Sequence, residues 1–150
     1  MSIVKVTVEV EAEPERVWAV IADPRNLPQW SRFIEGVEDV PDDGLALGVE
    51  YTVVLRAALR ARVPAAVVEW DPPRHAVVRL SGLVDAIITT DVSELSRGRS
   101  KLKHLVDYRF RGGTLGEIGA RSLRALGGAG FAIRHGVQAQ KRQIEEQAAQ

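Results

Sequence analysis

The chain has 150 residues, and 20 basic residues balance 20 acidic ones, so its formal net charge is zero. This length fits one domain, predicted over residues 1–150, and the charge balance excludes the basic excess typical of nucleic-acid-binding proteins. The absence of cysteine excludes disulfides, thiolate catalysis and cysteine-ligated metals. No apolar run approaches the roughly 20 residues of a membrane span, and the start lacks a signal-peptide core, so we expect a cytoplasmic protein.

The first elements are a strand and two short helices. Valines alternate with polar residues from Val4 to Val10, which predicts a half-buried strand with the valines inward. Pro14 suits the first turn of a helix that ends at Asp23-Pro24. Pro28 limits a second helix, within residues 27–33, to a turn or two.

Residues 34–110 have the pattern of consecutive short strands. The predicted strands are Ile34–Val40, Gly48–Leu59, Ala61–Trp70, His75–Leu80, Val84–Leu95 and Lys101–Phe110. Their separators, such as Pro41–Gly44 and Arg97-Gly98, are rich in turn-forming residues, which favours an antiparallel sheet over a crossover fold. The alanine-rich stretch Ala57–Ala66 resembles a helix, but Pro64 argues for a strand there.

A long helix is predicted after the last strand. Thr114-Leu115-Gly116-Glu117 has the spacing of a capping box. The apolar stripe of the helix is Leu115, Ile118, Ser122, Leu126, Ala129, Ile133 and Val137. Gly127, Gly128 and Gly130 predict a kink, and we expect the polar end at 138–150 to fray.

Four short motifs carry a resemblance to a known family. Val17-Trp18, Ile21 and Asp23-Pro24, followed by Leu27-Pro28 and Trp30, match the opening pattern V-W-x-x-I-x-D-P. The later matches are Glu69–Arg74, Gly98–Leu102 and Gly113–Gly116. In this order the motifs resemble the polyketide cyclase/dehydrase-like proteins of the START/Bet v 1-like (SRPBCC) superfamily. The resemblance implies an α+β helix-grip fold, a curved antiparallel sheet of about seven strands with two short N-terminal helices and a long C-terminal helix.

The resemblance implies an internal cavity for a hydrophobic small molecule, such as a polyketide, lipid or isoprenoid-like compound. Cyclase or dehydratase activity is one possible use of that cavity. The alternatives are a non-catalytic hydrophobic-ligand carrier and a co-chaperone-like interaction module that uses the exposed sheet. No cofactor, nucleic acid or membrane span is implied, and the expected state is a monomer or homodimer. The three histidines lack metal-ligand spacing, so no metal site is expected.

The last strand offers the sharpest candidates for polar chemistry. Alternation places His104 and Tyr108 on the inward face, together with apolar neighbours. They are candidates to hydrogen-bond a ligand carbonyl or to assist proton transfer, and the alternative is that each satisfies a backbone group or buried water.

The register of the preceding strand is open at this stage. We favour an inward set of Ala86, Ile88, Thr90 and Val92. A two-residue Arg97-Gly98 loop would shift the parity and bury Asp85 and Asp91 instead, with Asp91 close to His104. Burying unpaired carboxylates is expensive, which disfavours that register.

The predicted ligand-contacting residues come from the inner sheet face and the long helix. They are Trp30, Tyr51, Val53, Leu55, Ile88, Thr90, His104, Val106, Tyr108, Phe110, Ser122, Leu126 and Ile133. Trp18 is predicted to belong to the core, and Trp70, beside a turn, suits either use.

Overall fold

The computed structural model describes residues 2–56, 60–111, 117, 121 and 128–150. The strands are β1 (Ser2–Val10), β2 (Ile34–Glu38), β3 (Glu50–Arg56), β4 (Arg60–Asp71), β5 (His75–Leu80), β6 (Val84–Ser96) and β7 (Arg99–Phe110). The helices are α1 (Pro14–Ile21), a 3-10 turn (Pro24–Asn26), α2 (Leu27–Trp30) and α3 (Gly128–Ala148).

Within the described residues, seven strands form one curled antiparallel sheet in the order β1-β7-β6-β5-β4-β3-β2. Strands β2 to β7 therefore follow one another as a meander, and β1 is added beside β7. The predicted α+β helix-grip class is confirmed. The described part of the alanine-rich stretch, residues 60–66, is strand, as predicted. It belongs to β4, in which Pro64 lies opposite Thr52 of β3.

Helix α1 closes one end of the curled sheet. Pro14 occupies its first turn, as predicted, and Val17, Trp18 and Val20 are buried along one face. After α1, the Asp23 side chain accepts a hydrogen bond from the Arg25 amide at 3.0 Å and begins the 3-10 turn. This turn leads directly into α2, which packs beside β2 and α3.

A β-bulge sets the register between β6 and β7. Ser96 pairs with Arg99 across the two-residue turn, but Glu94 pairs with Ser100, so Leu95 is the extra residue of the bulge. Without the bulge, Asp91 would stand opposite His104. With it, Thr90 is the partner of His104, and the apolar register is the one that forms.

The prediction that residues 138–150 fray is wrong, because α3 continues to Ala148. Gln140 and Ile144 are buried along the same face as Val137. The same end is tied to β1 and the residue after it. Lys141 Nζ donates to the Glu9 carbonyl at 2.7 Å, and a Glu145 carboxylate oxygen accepts from the Glu11 amide at 2.8 Å.

Part of the predicted helix lies outside the described residues. This applies to Thr114-Leu115-Gly116 of the capping box, to the stripe residues Leu115, Ile118, Ser122 and Leu126, and to Gly127 of the expected kink. The described helix begins at Gly128, which has a φ of 85°. None of the described helices has both the length and the apolar character needed to cross a membrane.

The described core consists of two clusters. One joins β1, α1, β7 and α3 through Val10, Val17, Leu102 and Ile144. The other lies on β3 and β4 and contains Tyr51, Val53, Ala65 and Val67. Two partly buried side chains, those of Leu27 and Trp70, pack against both clusters.

Candidate functional site

A cavity of about 310 Å³ lies between the inner sheet face, α1, α2 and α3. Residues of both core clusters contribute to its wall, so it occupies the space where the two clusters meet. A curled sheet that one helix covers leaves such a space when the inward side chains are too short to fill it. Among the described residues, small wall positions such as Ala76 and Gly136 contribute little volume.

Most of the predicted contact residues line this cavity. They are Trp30, Tyr51, Val53, Leu55, Ile88, Thr90, His104, Val106 and Ile133. Tyr108 and Phe110 are not among the described lining residues; they lie further along β7 and pack edge to face with ring centroids 6.0 Å apart. Ser122 and Leu126 lie outside the described residues. The roles predicted for these four residues stay predictions.

All three tryptophans of the chain line the cavity. Trp18 and Trp70 meet edge to face with centroids 5.3 Å apart, so Trp18 belongs to the core, as predicted, and also forms part of the wall. The Trp30 indole N–H donates to Gln143 Oε1 at 2.8 Å, which holds its ring against α3. The wall therefore presents broad, fixed aromatic surfaces to a ligand.

The approach of α3 to α2 depends on a glycine. A Cβ atom at Gly136 would stand 3.1 Å from the Trp30 carbonyl oxygen, which is tighter than ordinary van der Waals contact. Gly136 therefore lets the helix backbone pass close to Trp30 and seats that ring at the cavity.

His104 lies in the wall within a closed polar network. Its Nε2 is 2.9 Å from Gln140 Oε1, an acceptor, so Nε2 carries the proton. Its Nδ1 is 2.8 Å from Thr90 Oγ1, and the hydroxyl donates to that nitrogen. Burial lowers the pKa of His104, which keeps the ring neutral and consistent with this tautomer.

Protein side chains thus satisfy both ring nitrogens of His104. Asp91, the carboxylate that the other register would have brought close, pairs instead with His75 Nδ1 at 2.7 Å. Asp91 is not part of the wall. In this arrangement the imidazole has no free nitrogen for a ligand, so proton transfer by His104 would require breaking its bond to Thr90 or Gln140.

Tyr51 is the second titratable group of the described wall. Its side chain is buried, and desolvation raises the pKa of the phenol to about 12, so the hydroxyl stays protonated at neutral pH. The hydroxyl makes no side-chain hydrogen bond within the described residues. It is therefore available as a donor to a ligand.

The described wall contains no Asp, Glu, Lys or Arg side chain. An ionised ligand group would find no opposite charge there, and burying it unpaired is costly. Among the described residues, no cluster of three His, Asp or Glu side chains is arranged to hold a metal ion. The wall therefore suits a neutral, largely apolar molecule.

Sequence reasoning did not place Gln140, Trp18 or the inward residues of β5 in the wall. A signal for Gln140 was present, because Ile133, Val137, Gln140 and Ile144 continue one helical stripe at spacings of four, three and four. The polar character of the tail concealed that period. For Trp18, helical spacing identifies a buried face but does not show whether that face borders a void.

Known proteins share both sequence and fold with this chain. The family model described as "Polyketide cyclase / dehydrase and lipid transport" matches residues 1–144. The uncharacterized protein Rv1546 of Mycobacterium tuberculosis is 31% identical over 83 residues, which cover 55% of this chain and 58% of that protein. The chain thus spans less than two thirds of the length of the curated relatives it matches.

Two solved structures illustrate the shared fold. A START superfamily protein from Mycobacterium smegmatis aligns with a TM-score of 0.72 and 18% identity over 97% of this chain and 98% of that one. A norcoclaurine synthase point mutant from Thalictrum flavum, in complex with a transition-state analogue, aligns at 0.67 and 16% over 97% and 95%. These structural alignments establish the fold alone, and the match over residues 1–144 establishes the family: the chain belongs to the polyketide cyclase/dehydrase and lipid transport family.

Proposed function

We propose that this protein binds a neutral, largely apolar small molecule in the cavity between its sheet and α3. The observation that supports this most directly is the wall itself, which combines three tryptophans with aliphatic side chains and has no charged member among the described residues. The family and the shared fold support hydrophobic ligand binding in general terms.

The cavity volume limits the size of the ligand. About 310 Å³ is near the lower end of the range for small-molecule sites. It is about twice the roughly 150 Å³ cavity that accepts benzene, which favours a molecule with about two fused rings or an equivalent short chain. An aromatic polyketide fragment has these dimensions.

We infer binding rather than turnover, because the titratable groups of the described wall are poorly placed for acid–base work. His104 has both nitrogens occupied, and Tyr51 has a raised pKa that leaves it a donor only. A cyclase or dehydratase remains the second candidate. The norcoclaurine synthase of the same fold holds a transition-state analogue, and a cavity that folds a substrate correctly needs few catalytic groups.

A matched pair of variants tests where the ligand binds. Ile88 lines the cavity, whereas its neighbour Ile87 points to the other face of β6 and is 45% exposed. Ile88→Phe should fill part of the cavity, and Ile87→Phe adds the same atoms outside it. The probe is 2-isopropylnaphthalene, and intrinsic tryptophan fluorescence reports its binding, since all three indoles line the cavity.

We expect saturable binding to the wild type, at least tenfold weaker binding to Ile88→Phe, and unchanged binding to Ile87→Phe. A tenfold loss corresponds to about 1.4 kcal/mol. The anion 2-naphthoate should bind at least tenfold more weakly than the neutral probe, because the wall offers no positive charge. Equal affinities for the two variants would contradict the proposed site. Native mass spectrometry of protein from its own host would identify a co-purified ligand.

A further inference from the structure

We propose that Gln140 is the residue that recognises the polar group of the ligand, and that His104 and Thr90 serve to position it. The inference rests on the proposed binding function and names the chemistry that the cavity selects. The ligand would be a neutral molecule that presents a hydrogen-bond acceptor, such as a ketone or quinone oxygen, to the Gln140 amide nitrogen.

The first step is the direction of hydrogen bonding along the network. The Thr90 hydroxyl donates to His104 Nδ1, and His104 Nε2–H donates to Gln140 Oε1. Both hydrogen bonds therefore donate in the direction of the Gln140 amide oxygen. The oxygen is therefore committed to His104, and the –NH₂ group of Gln140 faces away from the imidazole.

The second step is the surroundings of that –NH₂ group. Gln140 is only 8% exposed and lines the cavity, yet its nitrogen forms no hydrogen bond with any described side chain. The nitrogen is also partly accessible, because the fully buried side-chain polar atoms that lack a hydrogen bond among the described residues are Arg99 Nε and Asp107 Oδ1, and Gln140 Nε2 is not one of them. Because Gln140 lines the cavity, a ligand in the cavity can reach its amide nitrogen.

The Gln140 nitrogen also affects the free energy of ligand binding. An apolar ligand that covers this amide nitrogen leaves it without a hydrogen-bond partner among the described residues, which costs free energy. A ligand oxygen at this position gains a hydrogen bond, whereas a hydrocarbon of the same shape gains only the apolar wall. Anchored by His104, the amide loses little conformational entropy when it binds. The cavity should therefore distinguish a carbonyl compound from its hydrocarbon isostere.

Three naphthalene probes of similar size test this distinction. They are 2-acetylnaphthalene, which presents an acceptor, 2-isopropylnaphthalene, which presents none, and 1-(2-naphthyl)ethanol, which also presents a donor. For the wild type we expect the ketone to bind about three- to tenfold tighter than the hydrocarbon, in line with one net hydrogen bond. Gln140→Met should bring that preference to about one, whereas Tyr51→Phe, which removes another free donor of the described wall, should keep it.

Two further variants keep the test decisive. At about pH 9, where its carboxyl group is ionised, Gln140→Glu retains an acceptor for His104 but has no donor for the ligand, so the ketone-to-hydrocarbon ratio should fall to about one or below even if Gln140→Met does not fold. His104→Leu releases the amide and should reduce the same ratio. A general loss of stability would weaken both probes equally and leave the ratio unchanged.

The outcomes separate this inference from the proposed function. If the wild type binds none of the probes, the proposed binding function itself is wrong. If ketone and hydrocarbon bind equally, the cavity binds apolar molecules but Gln140 does not select among them. Tighter binding of the alcohol than of the ketone would show that the amide oxygen faces the cavity, and it would overturn the proposal. So would a ratio that Gln140→Met leaves unchanged.

Discussion

Replacing Ile144 with alanine tests whether the polar end of α3 is part of the core. Ile144 is 1% exposed and belongs to the cluster that contains Val10, Val17 and Leu102. Each buried carbon that is removed costs about 0.8 kcal/mol, so the transfer cost of Ile144→Ala is about 2.4 kcal/mol. The remaining cavity adds to this, and we expect a loss of about 3 kcal/mol in the free energy of unfolding.

Urea unfolding, followed by tryptophan fluorescence and by far-UV circular dichroism, measures this loss. In thermal unfolding the same change should lower Tm by about 6–12 °C for a chain of this length. Ile144→Val should cost about 0.5–1.5 kcal/mol, and Glu146→Ala, at an exposed position on the same helix, should stay within about 0.5 kcal/mol. A loss below about 0.5 kcal/mol for Ile144→Ala would refute the assignment of this segment to the core.

Three further predictions concern pH, backbone packing and tautomer. Hydrogen bonds to Glu69 and then Asp91 raise the pKa of His75 in the folded protein. Protonated His75 therefore contributes fully to the free energy of unfolding below its unfolded pKa of about 6.5, and the contribution is lost as pH rises through the higher folded pKa. The urea midpoint of wild type minus that of His75→Gln should therefore be larger at about pH 6 than at about pH 9; an equal difference would contradict this. Gly130→Ala should raise the free energy of unfolding by about 0.5–1 kcal/mol, because a Cβ there meets only the mobile end of the Arg134 side chain. Gly136→Ala should gain less or destabilise, because its Cβ meets the Trp30 carbonyl oxygen. The reverse order in urea unfolding would be evidence against the close approach of Gly136 to Trp30. Long-range ¹H–¹⁵N NMR at about pH 7 should find His104 neutral and protonated at Nε2; a proton on Nδ1 would contradict the network direction.

The sheet and the order of elements could be predicted because local patterns specify them. The alternating valines of β1 and the turn residues between strands each act over a few neighbouring positions. The register favoured for β6 and β7, argued from the cost of burying Asp85 and Asp91, is the one that forms. The bulge at Leu95 that produces this register was not predicted, because a bulge depends on pairing between two whole strands.

The candidate site was less accessible to sequence reasoning. Strand alternation predicted the apolar wall residues Val53, Leu55, Ile88 and Val106, but the inward residues of β5 and the side chains contributed by α1 were not predicted as ligand contacts. The polar network is different, because His104, Thr90 and Gln140 come from β7, β6 and α3, and no local pattern joins them. The composition of the helix end was also misleading. Its polar residues predicted fraying, although a glutamine amide can be buried when a partner satisfies it.

The position of β1 has a consequence for how the chain is made. Strand β1 precedes the other described elements along the chain, yet its partner in the described sheet is β7, and its backbone at Glu9 is bound by Lys141 of α3. Strand β1 therefore stays without its sheet partner, and its valines stay exposed, until β7 has been synthesised. We expect nascent chains that end before β7 to be the species that most need chaperone protection.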